Sequence, residues 1–184
     1  MSEVVNLNTD SYQIIDCTFE LHANEILAIL NEAILCSTAL YDYSERSIDS
    51  MSSWFEAKVK GNFPVLGLVN TDGVLLGFGS YGHFRMFPAY KYTVEHSIYI
   101  HKDHRGKGLG NLLMRELIEV ASQNNVHALI GGIDADNTGS INLHKKFGFT
   151  HVGTLPEVGF KFGRWLDLAF YELILPLENS PVDG

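Results

Sequence analysis

Residues 92–120 contain a strand-like segment that runs through a glycine-rich turn directly into an amphipathic helix. The first part combines β-branched and aromatic residues with alternating polar ones, which is typical of a strand. In the last part, Leu109, Leu112, Leu113, Leu117 and Val120 recur at helical spacing. Between them lies R-G-K-G-L-G, residues 105–110. The pattern predicts an α/β fold centred on a strand–turn–helix unit.

The glycine-rich turn is suited to an anionic ligand. Glycines let the backbone approach a ligand closely, and the N-terminus of the next helix carries a partial positive charge. Arg105 and Lys107 add full charges suited to a pyrophosphate or a 3′-phosphate. The spacing is neither that of a Walker loop nor that of the dinucleotide motif G-x-G-x-x-G. On these residues alone, an anion site and an ordinary surface turn both remain open.

Two motifs in order resemble those of the GCN5-related N-acetyltransferases (GNAT). Residues 105–110 resemble the coenzyme A signature R-x-x-G-x-G/A, and N-T-G-S-I-N-L-H-K-K-F-G-F (residues 137–149) resembles the second signature. His144 stands where that superfamily usually has Tyr. Residues 84–97 and 159–167 resemble the phosphinothricin and methionine sulfone/sulfoximine acetyltransferases. The likeness covers roughly residues 12–176.

Composition excludes several other classes of protein. A formal net charge of −9 argues against a nucleic-acid partner, because neutralising phosphates requires a basic face. Cys17 and Cys36 lack zinc-type spacing and read as core residues in a reducing compartment, and no histidine spacing predicts a metal site. There is no long apolar run and no signal peptide, so we expect a cytoplasmic protein without a membrane partner.

Periodicity and turn residues divide the chain into one folded domain, residues 11–177, between a disordered segment (1–10) and a polar tail (178–184). They predict strands at 12–19, 64–69, 74–81, 92–101, 128–133, 149–155 and 165–175, and helices at 20–37, 47–60, 107–122 and 138–147. The resemblance implies the GNAT acyl-CoA acyltransferase fold, a central mixed, mostly antiparallel sheet with helices on both faces. It also implies that strands 94–101 and 128–134 splay to admit the pantetheine arm.

The resemblance further implies acetyl-CoA as co-substrate. The residues expected to bind it are Ile98, Tyr99, Ile100, Arg105, Gly106, Lys107, Gly108, Leu109, Gly110, Asn111, Asn137 and Ser140. Family members carry a β-bulge in this strand, which would free N–H donors at Ile98 and Ile100 for the thioester carbonyl.

Two side chains are candidates for acid–base chemistry. Glu95 is the one carboxylate of the predicted strand 92–101, so it is either an outward edge residue or a base within the cleft. The family pattern places the general base there. His144 occupies the position of the Tyr that protonates the departing thiolate, although a lone helical His is also commonly structural.

The aperiodic segment 82–92 is expected to border the active site. Arg85 matches the family's substrate segment and would bind a carboxylate, unless it is simply a solvated loop charge. The predicted substrate-binding residues are Arg85, Met86, Phe87, Glu95, His96 and Ser97. Arg164 and Trp165 would instead close the pocket from the same or a second subunit, and a homodimer is expected.

The predicted function is acetyl-CoA-dependent N-acetylation of small amino acid analogues (phosphinothricin, methionine sulfone and methionine sulfoximine), with a role in detoxification. One alternative is acetylation of a protein N-terminus or a lysine, which would need an open peptide groove. Another is a non-catalytic coenzyme A-binding module, because fold and cofactor alone do not prove catalysis. A pure binding module would need neither Glu95 nor His144.

Overall fold

The computed structural model describes residues 4–7, 10–177 and 179–183. These residues form one eight-stranded sheet and four α-helices. The strands are β1 Val4–Leu7, β2 Asp10–Asp16, β3 Val65–Val69, β4 Leu75–His83, β5 Thr93–Ile100, β6 Ala128–Asp134, β7 Thr150–Lys161 and β8 Arg164–Ile174. The helices are α1 Phe19–Cys36, α2 Ile48–Lys60, α3 Leu109–Gln123 and α4 Thr138–Lys146.

The sheet has the order β1-β2-β3-β4-β5-β6-β8-β7, and every neighbouring pair is antiparallel except β5 and β6. The parallel pair is short, because β5 and β6 are in register only from Thr93↔Ala128 to Glu95↔Ile130. Beyond Glu95 the two strands diverge, while β6 stays paired with β8 along its whole length, from Ala128 to Asp134. The splay predicted for these two strands is therefore confirmed, and it opens a gap in the middle of the sheet.

Helices cover both faces of the sheet, as predicted. On one face, the apolar side of α3 packs into a core with residues such as Leu66, Leu68 and Leu129. On the other face, α1 and α2 pack on Val65, Val69 and Phe78. Neighbouring residues of β3 alternate between the two cores because successive strand side chains point to opposite faces. Among the described residues, no helix is long and apolar enough to cross a membrane.

Two segments differ from the sequence-based expectation. Residues 1–10 were expected to be disordered, yet Val4–Leu7 pairs with β2, while residues 1–3 and 8–9 lie outside the described residues. The predicted strands 149–155 and 165–175 leave the glycine-rich segment around Gly159, Lys161 and Gly163 as a bridge between them. In the structure Gly159 and Lys161 belong instead to β7, which extends to Lys161 with register shifts at 151–153 and 155–159. Its hairpin turn is Phe162-Gly163, with φ of 50° and 75°, as a two-residue type I′ turn requires.

Candidate active site

The gap between β5 and β6 is a cleft of about 450 Å³. One wall is β5 from His96 to Ile100, and the other is β6 from Gly131 to Asp134. The turn before α3 and the first turns of α3 and α4 complete it. The cleft therefore joins the two motifs that the sequence singled out, which are about 30 residues apart in the chain.

The glycine turn has the backbone geometry that its sequence predicts. Gly106 and Gly108 have φ of 77° and 81°, a left-handed region that favours glycine. Gly108 is the N-cap of α3, so the first helical turn, whose N–H groups have no carbonyl one turn earlier in the helix, begins at the edge of the cleft. Asn111 N is the exception, because it donates to Gly108 O at 3.0 Å. All the predicted cofactor residues line the cleft except Lys107, which is exposed beside it.

Arg105, one of the two cations of this turn, has a partner on α1 that the sequence did not predict. The Arg105 guanidinium forms an ion pair with Glu32 of α1, with Nη1 and Oε1 3.3 Å apart, and Nε donates to Ile100 O at 3.1 Å. Glu32 is 73 residues away, so no local pattern could reveal the pair. Asn111 accepts a hydrogen bond from Lys146 Nζ at 2.7 Å, which links α3 to α4.

Strand β5 carries no bulge where one was expected, because its pairing with β4 runs without a register shift from Val94 to Ile100. The N–H groups are freed in another way. His101 N donates to Leu76 O of β4. Backbone N–H groups point alternately to the two sides of a strand, so that of Tyr99 also points to β4, whereas those of Ile98 and Ile100 point towards the gap. The divergence of β6 thus supplies the donors that the bulge was expected to supply.

The two faces of β5 carry different chemistry. Glu95, Ser97 and Tyr99 point to the side of α1 and α2, where Tyr99 packs on Phe78. Glu95 is half-buried. Burial raises the pKa of its carboxyl above the ordinary value, and the nearby Arg85 guanidinium partly offsets the rise.

The predicted substrate loop lies on the same side as Glu95. Arg85 is exposed, with its guanidinium 4.3 Å from the Phe84 ring and Nη1 donating to Phe84 O at 2.9 Å. Met86 and Phe87 are 83% and 73% exposed, so neither side chain belongs to the core. None of the three lines the cleft itself, so the loop borders the site from outside.

The opposite face of β5 carries His96, which was grouped with the substrate residues from the sequence. Its ring is buried against His144 of α4, with the two Nε2 atoms 3.0 Å apart. His96 Nδ1 lies 2.8 Å from Ile130 O, and His144 Nδ1 lies 2.7 Å from Ser140 O. Asn137 caps α4 by accepting from Ser140 N at 3.0 Å, which positions the turn carrying these groups.

Two glycines were missed as site residues. A Cβ at Gly131 would lie 2.6 Å from His144 Nε2, and a Cβ at Gly132 would lie 2.9 Å from Glu95 Oε1. A side chain at either glycine position would therefore enter the space that His144 or Glu95 occupies. Adjacent glycines within a buried strand are the sequence signal that could have identified them.

The carboxyl end of β6 carries an ion-pair cluster beside the cleft. Arg164 binds Asp134 and Asp136, at 3.1 and 2.9 Å. Trp165 is 58% exposed and packs on Phe160. Over the described parts of the chain, no group of three or more His, Cys, Asp or Glu side chains could hold a metal ion.

Comparison with known proteins identifies the family. The profile of the Acetyltransferase (GNAT) family matches residues 26–149. The L-methionine sulfoximine/L-methionine sulfone acetyltransferase of Pseudomonas paraeruginosa is 41% identical over 157 residues, which cover 85% of this chain and 91% of that protein.

Solved structures agree with this. An N-acetyltransferase from Staphylococcus aureus Mu50 is 47% identical with a TM-score of 0.87, covering 90% of this chain and 99% of its own. A phosphinothricin acetyltransferase of the GNAT superfamily from Sinorhizobium meliloti, in complex with acetyl-CoA, is 30% identical with a TM-score of 0.89, covering 94% of each chain. The resemblance drawn from the two motifs is confirmed, and the chain belongs to the acetyltransferase (GNAT) family.

Proposed function

We propose that this protein transfers the acetyl group of acetyl-CoA to the amino group of small amino acid analogues such as methionine sulfone, methionine sulfoximine and phosphinothricin. The names of the relatives from P. paraeruginosa and S. meliloti support this substrate class. The observation that carries the proposal is the cleft between β5 and β6, which the glycine turn and the buried His144 imidazole line. The half-buried Glu95 carboxylate lies against Gly132 of the cleft wall. Modification of such analogues would detoxify them.

The residues around the cleft suit each step of acyl transfer. The N–H groups of the glycine turn and of the first turn of α3 would bind the phosphates of acetyl-CoA. The N–H groups of Ile98 and Ile100 would polarise the thioester carbonyl. Glu95 would take the proton of the attacking amine, directly or through water, and His144 would give a proton to the sulfur as the C–S bond breaks.

The amine would approach from the face of β5 that carries Glu95 and Ser97, where Arg85 is close enough to affect the Glu95 carboxyl. An α-amino acid needs a cation for its carboxylate, and Arg85 is an exposed guanidinium on that side. The acetyl donor and the amine would thus meet at the sheet from different directions, which allows both to be bound at once.

A homodimer is part of the proposal. Strand β7 is an edge strand whose apolar side chains are exposed, among them Val152, Leu155, Val158 and Phe160. An exposed apolar edge strand is a common site of association. Sedimentation equilibrium measures the subunit number directly, and a monomer at micromolar concentration would contradict this part.

The direct test is a panel of amines assayed for thiol release from acetyl-CoA, containing the three analogues, ordinary amino acids and short peptides. The analogues should be the preferred substrates. Glu95→Gln should lower kcat by ~10²-fold or more, the typical contribution of a general base, and leave acetyl-CoA affinity unchanged. Glu119→Gln, an exposed carboxylate on α3, is the control.

Three results would contradict the proposal. A preference for peptides over every free amino acid analogue would favour a protein acetyltransferase. Binding of acetyl-CoA without turnover of any amine would favour a coenzyme A-binding module. Wild-type kcat in Glu95→Gln would remove the assigned base.

A further inference from the structure

The imidazoles of His96 and His144 are held by both nitrogens. Their Nε2 atoms face each other at 3.0 Å, and each Nδ1 faces a backbone carbonyl, Ile130 O for His96 and Ser140 O for His144. A carbonyl oxygen only accepts hydrogen bonds, so each Nδ1 must carry a hydrogen to make a favourable contact. In neutral rings this leaves two Nε2 lone pairs facing each other.

The three contacts therefore need three hydrogens, whereas two neutral imidazoles carry two. Any neutral arrangement leaves one short contact between two acceptors, either at Nε2···Nε2 or at one carbonyl. Adding one proton between the Nε2 atoms satisfies all three contacts and gives the pair a single positive charge. A fourth hydrogen would again place two like groups face to face.

We propose, on the basis of the acetyl transfer proposed above, that His96 and His144 hold one shared proton between their Nε2 atoms and that His144 delivers it to the departing thiolate. His96 is a positioning residue in this scheme, because it acts through His144. The N–C bond forms and the C–S bond breaks, the amine proton leaves through Glu95 to water, and the sulfur takes the shared proton. The neutral pair then regains a proton from water.

The surroundings of the pair determine how firmly that proton is held. Burial lowers the pKa of both imidazoles, the neighbouring His144 lowers that of His96 further, and the hydrogen bonds to the Ile130 and Ser140 carbonyls act in the opposite direction. The facing lone pairs of the neutral form also favour the shared proton. Burial and the neighbouring imidazole therefore oppose a second extra proton and favour release of the first.

The other groups packed around the pair are mostly uncharged. The Phe149 ring lies 5.2 Å from His96 and 5.0 Å from His144 between ring centroids. The titratable groups nearest the pair are Tyr171 of β8, 6.3 Å from His144, and His151 of β7, 5.3 Å from Tyr171. Glu95 of β5, Asp134 of β6 and Glu172 of β8 alternate to the opposite face of the sheet, and Lys145 and Lys146 of α4 are exposed.

The proton count can be measured without turnover, by long-range ¹H–¹⁵N correlation on the protein labelled at histidine, with the two rings assigned from His96→Gln and His144→Gln. Both Nδ1 atoms should show the shift of a protonated nitrogen, and both Nε2 atoms should be partly protonated at the pH where the enzyme is active. An unprotonated Nδ1 on either ring at that pH would overturn the proposal.

Kinetics give a second test through His96→Gln, whose amide can donate a hydrogen bond to His144 Nε2 but cannot hold a proton. We expect kcat to fall by about 10²-fold, the lower range for a general acid. In the wild type, kcat should fall as pH rises through the pKa of the pair, because the shared proton is then lost. His96→Gln should lack this alkaline limb while acetyl-CoA affinity is retained.

The matched control is His127→Gln, because His127 Nδ1 also lies 2.8 Å from a backbone carbonyl, that of Leu175, while the ring is exposed and outside the cleft. If the two rings form one unit, the double variant of His96 and His144 should lose no more than the larger single loss. The shared proton would be refuted if the loss of kcat in the double variant equalled the product of the two single losses. An unchanged alkaline limb in His96→Gln would also refute it. A wild type inactive on every amine would instead refute the proposed acetyl transfer, while the nitrogen shifts would still report on the pair.

Discussion

Replacing Gly131 by alanine tests how tightly the site is built around His144. The new Cβ would lie 2.6 Å from His144 Nε2 and 2.9 Å from Cδ2, whereas ordinary contacts begin at about 3.5 Å. The ring must therefore move by about 1 Å, and a misplacement of that size can lower turnover by about 10²-fold. Such overpacking typically costs about 1–3 kcal/mol of folding stability. Because ~1 kcal/mol shifts Tm by roughly 2–4 °C in a chain of this size, thermal melting should detect the strain.

The assay is thiol release with methionine sulfone at saturating acetyl-CoA. The control is Gly153→Ala in β7, where nothing lies within 4 Å of the added Cβ. Gly132→Ala should have a smaller effect on kcat, since its Cβ meets the end of the half-buried Glu95 side chain at 2.9 Å, and a glutamate side chain can turn about more bonds than an imidazole. The reasoning fails if Gly131→Ala matches Gly153→Ala in kcat, because the ring would then have room that the structure denies it.

Two further predictions concern the ligands. Acetyl-CoA at ~100 times its Kd should stabilise the fold by ~2.7 kcal/mol, and Gly108→Asp should abolish this stabilisation. The control is Gly73→Asp in the β3–β4 turn, also at positive φ (78°), which should keep it. Equal loss in both variants would point to backbone strain. Arg85→Ala should reduce kcat/KM for methionine sulfone by roughly 10- to 150-fold, the equivalent of ~1.5–3 kcal/mol for a charge-assisted hydrogen bond, and spare a decarboxylated analogue. Arg85→Ala should also shift the acid limb of the kcat/KM–pH profile to higher pH. Without the guanidinium that lowers its pKa, the Glu95 carboxyl stays protonated, and so inactive as a base, up to a higher pH. An unchanged acid limb would show that Arg85 does not affect the Glu95 carboxyl.

Much of the fold could be predicted from the sequence because its signals are local. Helix α2 begins after Ser47, whose side chain accepts from Ser50 N, and the glycine turn has the positive φ values that its residues favour. The end of β7 was predicted wrongly, since a glycine-rich stretch reads as a loop unless a partner strand is known. In the structure β8 pairs with that stretch and register shifts absorb its irregularity.

Within the site, the acetyltransferase motifs, the carboxylate in β5 and the histidine in α4 could be identified from the sequence, because residue type and short-range spacing carry that information. Their contacts depend on how the chain folds. His96 meets His144 across 48 residues, Arg105 pairs with Glu32 across 73, and Gly131 leaves the space for an imidazole. The donors of Ile98 and Ile100 face the cleft because β6 leaves β5 after three paired residues, not because of a bulge. Such contacts arise from the packing of distant segments, and a one-dimensional pattern does not record which segments pack together.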